Sequence, residues 1–170
     1  IIFGSEPGNE VSLIQTETAA TFDAGSSSLQ LLQNLTLQSS SELVFQSLDL
    51  NSRELTLANE SSDLSLNNQL ILDEASEKII TGTADLKLEG GIQMSAGEIT
   101  STGGTLALSE TSPNLFQNDA ILELLNTNLE SAGSGDSILT LDGEPNLSMN
   151  GGSITRITLE RTGGTVGTIS

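Results

Sequence analysis

The sequence predicts an all-β chain wound as a right-handed parallel β-helix, a solenoid of about eight coils of about 22 residues with three short strands in each. Three observations predict it. Apolar-x-apolar triplets recur from Leu29 to Leu72: Leu29-Gln-Leu31, Leu35-Thr-Leu37, Leu43-Val-Phe45, Leu48-Asp-Leu50, Leu55-Thr-Leu57, Leu64-Ser-Leu66 and Leu70-Ile-Leu72. Residues two apart share one side of a strand, so each triplet reads as a very short strand with one buried face. Taken every third, the triplets step by about 19 to 25 residues, the length of one solenoid unit. Finally, the chain has no Trp, no Tyr and four Phe in 170 residues. A compact sandwich of this size would fill its centre with large aromatics, whereas a core one strand pair wide is filled by Leu and Ile.

In chain order the triplets fall into three series. The first is Ile2, Leu29, Leu48, Leu70, Ile92, Leu115, Leu139 and Ile157. The second is Leu13, Leu35, Leu55, Ile79, Ile99, Leu122, Leu147 and Val166, and the third is Phe22, Leu43, Leu64, Leu86, Leu106, Leu129 and Ile154. The steps Ile2 to Leu29 and Leu139 to Ile157 depart from the common spacing, so the register is weakest near residues 1–28 and 139–170. Central triplet residues are expected to face outward, and nearly all are polar: Gln30, Thr36, Asp49, Thr56, Ser65, Lys87, Gln93, Glu123, Thr140, Ser148 and Thr158. Val44, Ile71 and Ala107 break that rule and call for a covering loop or chain. Asp119 to Leu129, the best helical candidate, reads equally well as two strands, Ile121 to Leu125 and Thr127 to Leu129.

A lone coil buries too few aliphatics to offset the ordering of its backbone, so coils must stack. The corners use Gly90-Gly91, Gly103-Gly104, Gly133-Ser-Gly135, Gly151-Gly152 and Gly163-Gly164 in the second half, where positive φ or close approach is needed, and Ser and Asn in the first. A leucine-rich repeat is disfavoured: Leu32-x-x-Leu35-x-Leu37 lacks the following Asn and returns too soon. Neither end carries a capping helix or polar final coil, and the chain opens Ile-Ile-Phe. The expectation is a single β-helix segment, residues 1–170, of a longer or processed chain or of a fibre.

The Leu-x-Leu ladders, the outward Thr and Ser, and phrases such as Gly103-Gly-Thr-Leu-Ala-Leu108 and Gly151-Gly-Ser-Ile-Thr155 resemble the right-handed β-helix segments of large bacterial surface exoproteins. Filamentous-haemagglutinin-like adhesins and autotransporter passenger domains are of this kind. The resemblance is one of texture and period over most of the chain. It implies an extracellular or surface-displayed stalk, adhesin or fibre element and assigns no binding residue.

Charge narrows the function classes. Twenty-three Asp and Glu stand against Arg53, Lys78, Lys87, Arg156 and Arg161, a net charge of −18. Such a field repels phosphate backbones and anionic membrane surfaces and attracts cations, so nucleic acid is not an expected partner. No apolar run is long enough to span a membrane as a helix. With neither Cys nor His, thiolate and imidazole chemistry are unavailable.

Catalysis is not expected. A pectate-lyase-like site would group Asp ligands for calcium beside a basic residue, and a polygalacturonase-like site would pair aspartates with His. Here the acids are scattered and the bases fall on different coils. A Ser nucleophile could use only Lys78 or Lys87 as base, and their acidic surroundings keep both protonated. Calcium is the more credible ligand, taken by Asp73, Glu74 and Glu77 in one turn or by Asp136, Asp142 and Glu144 near another, though neither matches an EF-hand or a β-roll nonapeptide. No cofactor is required. Thr ladders such as Thr36 with Thr56, or Thr140 with Thr158, are interrupted by Ile80 and Glu123 and do not make an ice-binding face. The sequons at Asn34, Asn59 and Asn146 are explained by composition. The expected function is an extracellular structural or adhesive β-solenoid that associates with itself or continues as a longer solenoid, with surface polysaccharide as a further partner. The alternative is a calcium-dependent carbohydrate-binding or polysaccharide-processing β-helix.

Overall fold

The computed structural model describes residues 2–3, 11–14, 22–23, 28–39 and 42–162, and every regular element among them is a β-strand. The strands pair in parallel and build three walls. The first wall takes Ser28–Leu31, Ser47–Asp49, Leu70–Leu72, Ile92–Met94, Asn114–Gln117, Ser137–Asp142 and Ile157–Thr162. The second takes Leu35–Gln38, Glu54–Leu57, Lys78–Gly82, Glu98–Ser101, Ile121–Leu125 and Asn146–Asn150. The third takes Leu43–Phe45, Leu64–Leu66, Leu86–Leu88, Thr105–Leu108, Asn128–Ser131 and Ile154–Thr155. The eighteen strands from Ser28 to Thr155, three to a turn, make six complete turns. Ile2–Phe3, Val11–Ile14 and Phe22–Asp23 pair onto the same walls. The parallel solenoid and its three strands per coil are as expected, and eight coils is slightly too many. One wall is discontinuous: Ser47–Asp49 and Leu70–Leu72 lie against each other but belong to separate sheets.

Register follows the apolar ladders where these are unbroken. The third series pairs residue for residue, from Phe22 with Leu43 through Leu64, Leu86, Leu106 and Leu129 to Ile154. The second does so from Leu35 through Leu55, Ile79, Ile99 and Leu122 to Leu147. Leu13 pairs with Leu37 instead, and Val11 with Leu35; Val166 lies outside the described residues.

The first series needs three corrections. Ile2 pairs with Gln30. Ile157 pairs with Ser137, while Leu159 takes the place beside Leu139. Leu115 faces outward, and Asn114 and Phe116 occupy the inward positions between Ile92–Met94 and Leu139–Leu141. The last choice has a physical reason. It buries the larger Phe116 ring completely, and the Asn114 side-chain nitrogen offsets part of the cost of its burial by donating to the carbonyls of Ser109 (2.9 Å) and Ile138 (3.1 Å), while its Oδ1 has no partner among the described residues.

The core is a column of Leu in which Phe45 and Phe116 are fully buried. The outward rule holds with exceptions: Ala107 and Ser65 are buried, whereas Ile71 is 50% exposed. Corners that turn inward are closed by hydroxyls. The Ser39 amide donates to Ser62 Oγ (2.9 Å), Thr127 Oγ1 to Ser101 Oγ (2.9 Å), and Ser137 Oγ to the Leu108 carbonyl (2.7 Å) while bonded to the Ser131 hydroxyl (2.8 Å). At Gly104, φ is +68° and a β-carbon would lie 2.6 Å from the Thr83 carbonyl oxygen, so only glycine fits that corner.

Leu86 is fully buried and packs between Leu64 and Leu106 in adjoining coils. Leu86→Ala is expected to destabilise the chain by about 2–5 kcal/mol, because neighbours fixed in two ladders cannot collapse into the cavity. A fall in the urea midpoint at unchanged slope checks this.

Candidate functional site

The carboxylates singled out in the sequence have separate fates. Asp73, Glu74 and Glu77 share the loop between Leu70–Leu72 and Lys78–Gly82. Glu77 is 5% exposed, and its carboxylate is occupied within the fold. Oε2 accepts the amides of Asp73 (2.9 Å) and Glu74 (3.3 Å), and Oε1 accepts the Ser52 amide (3.4 Å) from the preceding coil. The Ser52 hydroxyl donates to the Glu74 carboxylate. Glu77 thus closes its own turn, as a capping carboxylate does, and Asp73 and Glu74 stay on the exposed rim.

Asp136, Asp142 and Glu144 do not come together. The extended strand Ser137–Asp142 puts Asp136 and Asp142 at opposite ends, roughly 20 Å apart at about 3.3 Å per residue. Asp142 Oδ2 accepts from Gln117 Nε2 (2.9 Å), and Asp136 and Glu144 are exposed. Among the described residues, no group of three or more carboxylates is arranged to hold a metal ion.

Parallel stacking assembles a different acidic row. Glu42, Asp63 and Asp85 each precede an inward leucine of the third wall, Leu43, Leu64 and Leu86, and these leucines are ladder partners. The three acids therefore stand one above another at the edge of that wall. Beside them runs a shallow groove of about 290 Å³, lined also by Ser65, Lys87 and Glu130. The Ser65 hydroxyl donates to the Glu42 carboxylate, and Asp63 Oδ1 accepts the Asp85 amide (2.9 Å). Burial pushes the Asp63 carboxyl above its ordinary value. The amide of Asp85 opposes that shift, and repulsion from Asp85 and Glu42 adds to it. The signal for this row lay in the sequence, as an acid immediately before a leucine at one-coil spacing.

The cations form their bonds outside the row. Lys78 Nζ pairs with Glu98 (2.7 Å), and Lys87 Nζ with Glu89 (2.6 Å), the only two ion pairs among the described residues. Arg53 donates to the carbonyls of Leu32 and Ser52, Arg156 to Ser131 and Arg161 to Gly143. The hydrogen bond to Glu98, with the charges of Glu98 and Glu54, holds the Lys78 ammonium above its ordinary value. A lysine so held is a poor general base. No family model, curated protein or solved structure matches the chain.

A carboxyl whose folded value is raised binds more protons in the folded than in the unfolded state. Its contribution to stability is full below the unfolded value and is lost as pH rises through the folded one. Asp63→Asn keeps a carbonyl to accept the Asp85 amide and removes the charge. It is expected to raise the melting temperature at neutral pH by roughly 1–2 °C after discounting for solvent screening, with the gain vanishing in acid. Scanning calorimetry at both pH values checks it; a lower melting temperature at neutral pH would contradict it.

Proposed function

We propose that the chain is a structural or adhesive β-solenoid of an extracellular bacterial surface, a stiff acidic rod that builds a fibre, stalk or surface layer by self-association or by continuing as a longer solenoid. The observation that carries this reading is the one-dimensional stacking. Six turns repeat the same three-strand unit, giving roughly 30 Å of axial rise at about 4.8 Å per coil, and the outward positions are predominantly polar. Each coil contacts only its neighbours, so length is added without new architecture. The texture resembles filamentous-haemagglutinin-like adhesins and autotransporter passengers, and the acidic wall suits a surface held apart from anionic polymers.

One observation favours a second reading, a calcium-dependent carbohydrate-binding or polysaccharide-processing β-helix. The groove beside Glu42, Asp63 and Asp85 presents carboxylates and the Lys87 ammonium on one sheet face, a position where a linear polymer could lie along the coils.

Light scattering with negative-stain electron microscopy, in calcium and in chelator, separates the two. Rods or filaments in both conditions are expected. A compact particle that never associates, together with release of sugar fragments from a polysaccharide, would overturn the structural reading. A melting temperature that climbs with free calcium, as linkage requires of a ligand bound only by the folded state, would favour the second.

A further inference from the structure

We propose that Asn150 is a site of spontaneous chemical modification, a built-in deamidation point at the corner that follows the second wall. Asn150-Gly151 is the one Asn-Gly step in the sequence. Asn150 ends the strand Asn146–Asn150, and Gly151 and Gly152 carry the turn with φ of +80° and +74°. Both Asn150 and Gly151 are exposed. Among the described residues the Asn150 side chain makes no hydrogen bond and the Gly151 amide donates none.

Those features favour the reaction. The Gly151 nitrogen gives up its proton to hydroxide and attacks the Asn150 side-chain carbonyl carbon. A five-membered succinimide forms as the C–N bond to the side-chain nitrogen breaks and ammonia leaves. Water then opens either carbonyl, leaving aspartate or isoaspartate. The sum is one water consumed and one ammonia released, with no oxidant or reductant. A hydrogen-bonded amide would resist deprotonation, and a β-carbon on the following residue would crowd the attack; Gly151 offers neither obstacle.

Competing sites lack these features. Asn126 is followed by the β-branched and fully buried Thr127, whose nitrogen would have to attack. Asn34 and Asn128 use their side-chain oxygens to accept from the Glu54 amide (3.1 Å) and the Ser153 hydroxyl (2.9 Å). Glycine suits the site as well, since φ at Gly151 is +80°, a conformation strained for any residue with a β-carbon. The corner therefore favours the residue that makes it labile. Isoaspartate would lengthen the main chain by one carbon where Asn150 pairs with Leu125, and either product adds a negative charge.

The test is peptide mapping of the full chain after incubation at neutral and mildly alkaline pH, beside the same chain held unfolded in urea. The Asn150 peptide is expected to gain about 1 Da, at a rate that rises in proportion to hydroxide and is nearly the same folded or unfolded. Peptides carrying Asn34, Asn126 and Asn128 are expected to stay unchanged in the folded chain. An isoaspartate carboxyl methyltransferase with S-adenosylmethionine should label the aged protein, and Asn150→Gln should abolish both signals. Strong protection of Asn150 in the folded chain, or conversion spread evenly over the other asparagines, would overturn the proposal.

Discussion

Coil stands on coil through parallel backbone ladders, and that register governs everything else in the molecule. Side chains alternate strictly between the two faces of a strand, so a slip of one residue would turn the whole leucine set outward. Leu64, Leu86 and Leu106 illustrate the constraint, each resting on its counterpart in the next coil. The corners obey it as well: the hydroxyl of Ser62 reaches the backbone of Ser39 only because their turns are superposed.

The same superposition sorts the charges. On the second wall it stacks Glu54, Lys78 and Glu98, and the lysine between two acids gains a bonded partner. On the third it stacks Glu42, Asp63 and Asp85, and nothing of opposite sign intervenes. Attraction and repulsion thus arise from one geometric rule applied to different residues. With five cations against twenty-three acids, the chain has too few positive groups to place one in every row.

The parts of the fold legible in the sequence are those where leucine repeats at the coil spacing. The third wall could be read from end to end, as could the second from Leu35 onward. The first wall could not, because at Asn114–Gln117 the apolar pattern admits two registers. A buried amide and a phenylalanine ring decide between them, and neither term is visible in an alternation of polar and apolar letters. The acidic site was hidden for a related reason. In a solenoid, acids close in sequence such as Asp136 and Asp142 end up at opposite ends of a strand, while acids a coil apart become neighbours. Proximity along the chain is the wrong measure, and the leucine that follows each acid supplies the right one. Glu77 shows what composition leaves out: its carboxylate also closes the fold, accepting three backbone amides.

The gap in the first wall bears on how the rod carries force. Tension along the axis is shared by the walls as by cables in parallel, each coil boundary holding as many cables as it has ladders. Between Ser47–Asp49 and Leu70–Leu72 one cable is interrupted, so that boundary rests on the other two walls and on bonds beside the gap, such as the Asn68 amide donating to the Gln46 carbonyl (2.7 Å). Fracture under pulling starts at the boundary with the fewest hydrogen bonds to break in concert, which sets a fuse near the N-terminal third of the described coils.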